Sequence, residues 1–117
     1  MSYDIELLDP VTKESIELDV PHHMRGGTYA MGGTTRAHLN VTYNYARHYG
    51  SVGPEGIRTI YGKTGAESIP MLEGAAAKLG DDTDPDYWKA TEGNAKRALL
   101  QLAALAKMRP DAIWDGD

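Results

Sequence analysis

The stretch YDIELLDPVTKESIELDV (residues 3–20) contains two runs in which apolar and acidic side chains alternate. The apolar members are Tyr3, Ile5 and Leu7 in the first run and Ile16, Leu18 and Val20 in the second. A turn that contains Pro10 separates the two runs. Because a period of two places alternate side chains on opposite faces of a strand, the stretch predicts a β-hairpin with one buried face.

A third alternating run lies at residues 39–44, where Asn40, Thr42 and Asn44 interleave with apolar residues. We predict a strand to about Tyr43, followed by a short helix with Asn44 as its N-cap. Paired glycines on both sides of residues 28–31 indicate another short strand.

Helical patterns dominate the second half of the chain. The pattern T-G-A-E at residues 64–67 is a capping box, so a helix begins there, and Pro70 should kink or restart it before Gly80. The last helix is predicted from Gly93 or Asn94 to Met108, and residues 112–114 could form a terminal strand. The fold class is therefore α+β, with an antiparallel sheet (the N-terminal hairpin plus one or two further strands) packed on two or three helices.

Composition limits the class of protein. The 117 residues suit a single domain, residues 1–117, and the chain contains no Cys. We expect a cytoplasmic protein, without a membrane segment, because neither a long apolar run nor a signal peptide is visible. Asn40 begins a glycosylation sequon, N-V-T, but we expect no glycosylation there because a cytoplasmic chain does not encounter the glycosylating enzymes.

The charge is unevenly distributed. The net charge is -5, yet residues 22–63 carry five basic residues and only one acid, Glu55. Such a basic segment in an acidic chain indicates a local anion site, and the negative total argues against nucleic-acid binding. The alternative is that these bases pair with the acidic ends of the same chain.

The basic segment also supplies the first candidate binding site. Asn side chains form hydrogen bonds with amides and base edges, Arg side chains bind phosphates and Tyr rings stack on other rings. Together these residue types suit a nucleotide-like or phosphorylated small molecule. The candidate residues are Arg25, Arg36, Asn40, Thr42, Tyr43 and Asn44. The alternative is that Thr42 and the asparagines face solvent, with Asn44 only capping a helix.

Two helix starts add further candidates. Lys63 and the free N–H groups at the first helix could receive an anion, although the spacing of glycines rules out a P-loop. Trp88 as a stacking wall and Asn94 as a polar contact could form a second cluster at the last helix. In the plainer interpretation, Trp88 covers the core edge and Thr91 is the N-cap.

The sequence contains no recognisable catalytic or metal-binding motif. The four histidines show no helical spacing and have no carboxylate among them, so we predict neither a metal site nor a cofactor. No nucleophile elbow or apolar carboxylate pair is present, and we assign no catalytic residue.

The segments NVTYNYARHY, YGKTGAESIPMLEGAAAKLGDD and DYWKATEGNAKRALLQLAALAKMRPDAIW resemble a group of small phage and prophage proteins of unassigned activity. The resemblance covers about residues 36–114 and implies a phage setting, in the cytoplasm of a host cell. It points to residues Asn40, Thr42, Asn44, Lys63, Thr64, Pro70, Trp88 and Asn94.

These observations predict a protein that binds a nucleotide-like ligand without transforming it, as a phage protein sequestering a host defence signal would. Because a chain of this size has few deep cavities, we expect the pocket to form in a homo-oligomer, with a dimer as the first guess. The alternative is an interaction module whose Arg- and Tyr-rich surface binds a host or virion protein.

Overall fold

A computed structural model of the protein describes residues 1–24 and 33–117. The strands in these residues are β1 (Ser2–Leu8), β2 (Glu17–His22), β3 (Thr34–Arg36), β4 (His38–Thr42) and β5 (Ile113–Gly116). The α-helices are α1 (Gly65–Ala76) and α2 (Glu92–Met108), and Tyr43–His48 and Gly56–Ile60 form 3₁₀ helices. The α+β class is confirmed. The strand predicted at residues 28–31 lies outside the described residues.

The strands form two antiparallel sheets, ordered β4–β1–β5 and β2–β3. β1 pairs with β4 from Ser2↔Thr42 to Glu6↔His38, and β2 pairs with β3 at Glu17↔Arg36. Residues 34–42 therefore pair with both N-terminal strands, first with β2 and then with β1. The terminal strand β5 pairs with the other edge of β1.

The predicted N-terminal hairpin forms its turn, but its strands pair differently. The Asp9 amide donates to the Glu14 carbonyl at 2.9 Å, and Leu8 and Ser15 form a single bridge. Beyond that bridge, both strands pair with residues 34–42 and not with each other. The alternation of apolar residues determines which face of a strand is buried, and it leaves the choice of neighbouring strand open.

The core lies between the three-stranded sheet and the two helices, which pack against each other. Ile5, Leu39 and Trp114 are fully buried on the sheet side, and Leu99 and Leu102 are fully buried on α2. One face of the sheet is thereby covered, as predicted. None of the helices in the described ranges has the length and apolarity needed to cross a membrane.

The helix boundaries follow local signals. Thr64 and Glu67 form the predicted capping box of α1, and the helix continues through Pro70 as one element to Ala76. Thr91 is the N-cap of α2, and its hydroxyl accepts from the Asn94 amide at 3.1 Å.

One predicted cap is wrong. Thr42, and not Asn44, caps the first 3₁₀ helix, because the chain leaves the strand one residue earlier and the Thr42 hydroxyl accepts from the Asn44 amide at 3.2 Å. The side chain of Asn44 is therefore free to contact another part of the protein.

Candidate functional site

Polar side chains share the face of β1 and β4 that is turned away from the core. The register places Asp4 opposite Asn40 and Glu6 opposite His38, and alternation directs all four away from the apolar face. We call this group, with Ser2, the β1–β4 polar face. His38 and Asn40 are only 9% and 4% exposed, so this part of the polar face is buried.

Asp4 is the centre of the polar face. Its Oδ1 accepts from Asn40 Nδ2 at 2.6 Å and lies 3.3 Å from His38 Nε2. Asn40 Nδ2 is also 2.9 Å from the Ser2 hydroxyl. Since a carboxylate can only accept, Asp4 fixes the orientation of the Asn40 amide, which must direct its NH₂ group toward the carboxylate.

That arrangement leaves two buried atoms without partners. Within the described residues, neither Asn40 Oδ1 nor His38 Nδ1 has a hydrogen-bond partner, although both atoms are shielded from solvent. A buried polar atom without a partner costs about 1–3 kcal/mol. The two residues are two positions apart on one strand, so their unpaired atoms belong to the same face of the sheet.

Arg36 adds a positive charge beside the polar face. Its guanidinium lies 3.7 Å from the Glu6 carboxylate, and its side chain is 57% exposed. Glu6 also accepts from the Ser15 hydroxyl at 2.9 Å. The pairing of Arg36 with an acid near the N-terminus supports, for this residue, the alternative that the basic segment is neutralised by the acidic ends of the chain.

The remaining residues predicted from the same stretch have other roles within the chain. Thr42, which pairs with Ser2, is fully buried and caps the 3₁₀ helix. The Asn44 amide donates to the Trp88 carbonyl at 2.8 Å, so the two predicted clusters do touch at this bond. Arg25 lies outside the described residues, and its role stays a prediction.

Tyr43 belongs to an aromatic cluster that anchors the end of the chain. Its ring meets Tyr3 edge-on at 4.5 Å, and the Arg58 guanidinium lies over both rings, 4.9 Å from the centroid of Tyr3. Arg58 also donates to the Asp117 carbonyl at 2.8 Å and to the Tyr43 hydroxyl at 3.2 Å. These contacts give Tyr43 a packing role within its own chain.

Asn94 anchors the irregular loop that precedes α2. This side chain is 1% exposed; its oxygen accepts from the Asp84 amide at 3.0 Å and its NH₂ group donates to the carbonyls of Asp86 and Lys89. At Gly93 a Cβ would fall 2.7 Å from the carbonyl carbon of Asp82, so the loop backbone lies directly on the helix. With every polar atom of its amide engaged, Asn94 holds the loop and has no group left for a ligand in this structure.

The helix N-termini are occupied by groups of the chain itself. The amides of Gly65, Ala66 and Glu67 donate to Ala112, Pro110 and the Thr64 hydroxyl, respectively. The free amides invoked beside Lys63 are therefore absent, and that part of the anion-site hypothesis is wrong. At α2 the Asp82 carboxylate accepts from the Gly93 amide at 3.3 Å, which places an internal anion where the helix dipole favours one.

A wide cleft of about 390 Å³ opens between the first 3₁₀ helix and the start of α2. Arg47 and His48 line one side, and both contact the Ala90 carbonyl, at 3.2 and 2.8 Å. Asp82 and Glu92 line the other side. Because acids and bases are mixed and the basic groups already have internal partners, the cleft does not show the excess of positive charge that an anion site needs.

Buried tyrosines make the protein sensitive to high pH. Burial raises the pKa of Tyr45, Tyr49 and Tyr61 above the ordinary value of 10.0. In the unfolded chain these phenols lose their protons near pH 10, whereas the folded chain holds them to higher pH. The unfolded state therefore binds fewer protons above about pH 10, and the free energy of unfolding should fall as pH rises further.

Urea unfolding followed by circular dichroism, between about pH 8 and about pH 11.5, measures this loss. Tyr49→Phe is the matched control, since it removes one of the shifted groups and should flatten the decline. A free energy of unfolding that stays constant across this range would contradict the assignment.

Four residues in these clusters were not predicted as site residues from the sequence. Alternation indicates only a polar strand face for Asp4 and Glu6, the pattern of histidines argues only against a metal site at His38, and Arg58 has no predicted role. Alternation already placed Asp4 and Glu6 on the polar side of β1. The missing information was the register that sets them opposite Asn40 and His38.

Among residues 1–24 and 33–117, no group of three or more histidines and carboxylates is arranged to hold a metal ion. Comparisons of the chain with protein-family models, with curated proteins and with solved structures give no match.

Proposed function

We propose that the protein binds a nucleotide-like small molecule at the β1–β4 polar face and does not transform it. The proposal depends on two buried atoms, Asn40 Oδ1 and His38 Nδ1, which have no hydrogen-bond partner among the described residues and belong to residues two positions apart on β4. Each lowers the stability of the free protein, and a ligand that supplied hydrogen bonds to both would recover that loss on binding.

The charged neighbour of the polar face fits such a ligand. Arg36 lies two residues before His38, its side chain is mostly exposed, and its contact with Glu6 is a loose one at 3.7 Å. A surface ion pair of this kind contributes little and can exchange for a phosphate, to which a guanidinium donates two parallel hydrogen bonds. The proposed site therefore has a polar end for a base and a cationic end for a phosphate.

The proposed site is narrower than the one predicted from the sequence. Thr42, Asn44 and Asn94 have internal partners, and Tyr43 packs against Tyr3 and Arg58. Trp88 remains 45% exposed and is the one ring among these residues that could still stack on a ligand.

We also propose that the pocket is completed by a second copy of the chain and that the bound molecule is a host defence signal sequestered by a phage protein. The recess lined by Glu6, Arg36 and His38 has no free volume for a ligand in a single copy of the chain, so the walls of a pocket would have to come from a second copy. The resemblance to phage and prophage proteins supports the biological setting.

Native mass spectrometry after exposure to a pool of nucleotides and nucleotide signals tests the proposal, with heat release and identification of whatever was bound. We expect an intact ligand on the wild type and about a tenfold loss of affinity in Asn40→Ala. Asn44→Ala is the matched control: this amide is on the same stretch of chain but donates to the Trp88 carbonyl, and the variant should bind normally.

Three results would contradict the proposal. The first is a protein that retains nothing from the pool. The second is a chemically altered molecule in the released fraction, which would make the protein an enzyme. The third is an equal loss of binding in Asn40→Ala and Asn44→Ala when both variants keep the wild-type melting temperature.

The second candidate function is binding to a basic surface of another protein, since the loop that carries Trp88 also contains Asp81, Asp82, Asp84 and Asp86. The exposed indole of Trp88 lies 5.1 Å from the ring of Tyr87, on a loop whose backbone is held by Asn44 and Asn94. A rigid aromatic anchor on a held loop is typical of interaction hot spots. A partner captured by the wild type, released by salt and lost with Trp88→Ala would support this function; capture that is unaffected by Trp88→Ala would contradict it.

A further inference from the structure

We propose that β2 binds an extended segment of another protein as an additional strand, and that basic and apolar residues alternate along this segment. The interaction is separate from the nucleotide site at the β1–β4 polar face and does not depend on it. Four features support it: the open edge of β2, a cleft beside that edge, exposed apolar side chains in the cleft and acidic residues on the strand.

β2 has one open edge. Among the residues that the structure describes, β2 pairs with β3 alone. The Ala37 amide donates to the Ile16 carbonyl at 3.4 Å, and this bond flanks Glu17↔Arg36 and makes it a non-hydrogen-bonded pair. The backbone N–H and C=O groups of Glu17 therefore point away from β3, toward the open edge. Pro21 has no amide proton to donate, which is typical of a strand at the edge of a sheet.

A cleft of about 210 Å³ is lined by residues 17–20 of β2 and by Met108 and Arg109 at the end of α2. A cleft over one face of a strand meets alternate side chains, whereas contact with four residues in succession indicates a position alongside the backbone. An extended segment in this cleft would reach the backbone groups of Glu17. Main-chain hydrogen bonds of this kind supply the affinity when a peptide is added to the edge of a sheet.

Apolar side chains are exposed at this cleft. Val20 is 57% exposed and Met108 is 36% exposed, whereas Leu18, on the same face of β2 as Val20 by alternation, is buried. An added strand with apolar side chains beside Val20 and Met108 would remove their apolar surface from water, which favours binding. One face of the bound segment is therefore apolar.

The opposite face of β2 is acidic. Glu17 and Asp19 are exposed, and neither forms an ion pair within residues 1–24 and 33–117. Glu17 accepts a hydrogen bond from the Thr35 hydroxyl, which leaves its negative charge in place. The neighbouring bases pair with other acids, Arg109 with Asp111 at 2.9 Å and Arg36 with Glu6 at 3.7 Å. Basic side chains on the second face of an added strand would lie beside Glu17 and Asp19, and opposite charges on neighbouring strands stabilise their pairing.

The same acids argue against a second copy of the chain at this edge. If two β2 strands paired antiparallel across a two-fold axis, Glu17 and Asp19 of one copy would lie beside the same acids of the other. Like charges on neighbouring strands are destabilising. A segment of another protein with alternating basic and apolar residues has the complementary pattern.

Capped hexapeptides test the proposal, one with alternating lysine and valine and one with alternating glutamate and valine. In an NMR titration the lysine peptide should shift the amide signals of residues 17–20 and bind at least about tenfold more tightly than the glutamate peptide. The lysine peptide with every backbone amide methylated should bind at least about tenfold more weakly, because it cannot donate to the strand.

A charge reversal on β2 locates the preference. In Asp19→Lys the preference for the lysine peptide should fall to about threefold or less. Asp115→Lys is the matched control: it changes the net charge equally at an exposed position of β5, and the preference should stay at least about tenfold. Equal losses in the two variants would show attraction to the net charge of the whole chain and would overturn the proposal.

Other results would overturn it as well. These are no binding of the lysine peptide at about 1 mM, equal binding of the methylated peptide, and signal shifts in the loop that carries Trp88 instead of residues 17–20. Signals of residues 17–20 that shift with the concentration of the protein alone would show that a second copy occupies the edge.

Discussion

Trp114→Ala should lower the free energy of unfolding by about 3–5 kcal/mol, the usual cost of removing a large aromatic side chain from a packed core. Trp114 is 1% exposed and its indole N–H donates to the Ser68 hydroxyl at 2.7 Å. Its backbone also joins β5 to the segment before α1, through bonds of 2.9 Å with Gly62 and Lys63. The substitution therefore opens a cavity at the point where the sheet meets the helices.

Urea unfolding followed by circular dichroism measures the change, and Ser68→Ala is its matched control. That variant keeps the indole but removes its hydrogen-bond acceptor, which should cost about 1–2 kcal/mol. If Trp114→Ala cost no more than Ser68→Ala, then the contribution of Trp114 would be its hydrogen bond and not its packing.

Asn94→Ala is the second large effect, with an expected loss of about 2–3 kcal/mol. The change leaves the Asp84 amide and the carbonyls of Asp86 and Lys89 without their partner at the start of α2. Hydrogen exchange should show faster exchange of the Asp84 amide, because its acceptor is gone.

Asn44→Ala serves as the control for Asn94→Ala. It removes one exposed hydrogen bond to the same loop, at the Trp88 carbonyl, and should cost about 0.5–1 kcal/mol. Equal losses in the two variants would show that the loop does not depend on the buried amide. A stable Asn94→Ala protein with weakened nucleotide binding would instead return Asn94 to the ligand site.

The predicted site and the observed contacts differ for a definable reason. Asn, Thr and Tyr can bind a ligand, but they can equally satisfy the backbone of their own chain, and the residue types alone do not separate the two uses. The sequence predicts Thr42 and Asn94 as ligand contacts, whereas in the structure both side chains form hydrogen bonds with their own chain. Those contacts are with the 3₁₀ helix and the loop before α2, respectively.

The sequence by itself determined the class of fold and most of the element boundaries, because these depend on local features. Alternation marked β1, β2 and β4, and the capping box placed the start of α1. The apolar spacing predicted a start of α2 at Gly93 or Asn94, one or two residues after the observed start at Glu92, and an end at Met108. Each of these signals is contained within a few neighbouring residues.

Only the tertiary structure decided which strands pair and which polar groups lack partners. The pairing of β1 with β4 joins residues 36 positions apart, Asp4 and Asn40, and no local pattern encodes that choice. Their register places one carboxylate between an amide and an imidazole, and Asn40 Oδ1 and His38 Nδ1 have no partner in the part of the chain that the structure describes. A donor and an acceptor form a hydrogen bond only at a suitable distance and angle. For groups far apart in sequence, that distance and angle are set only when the chain folds.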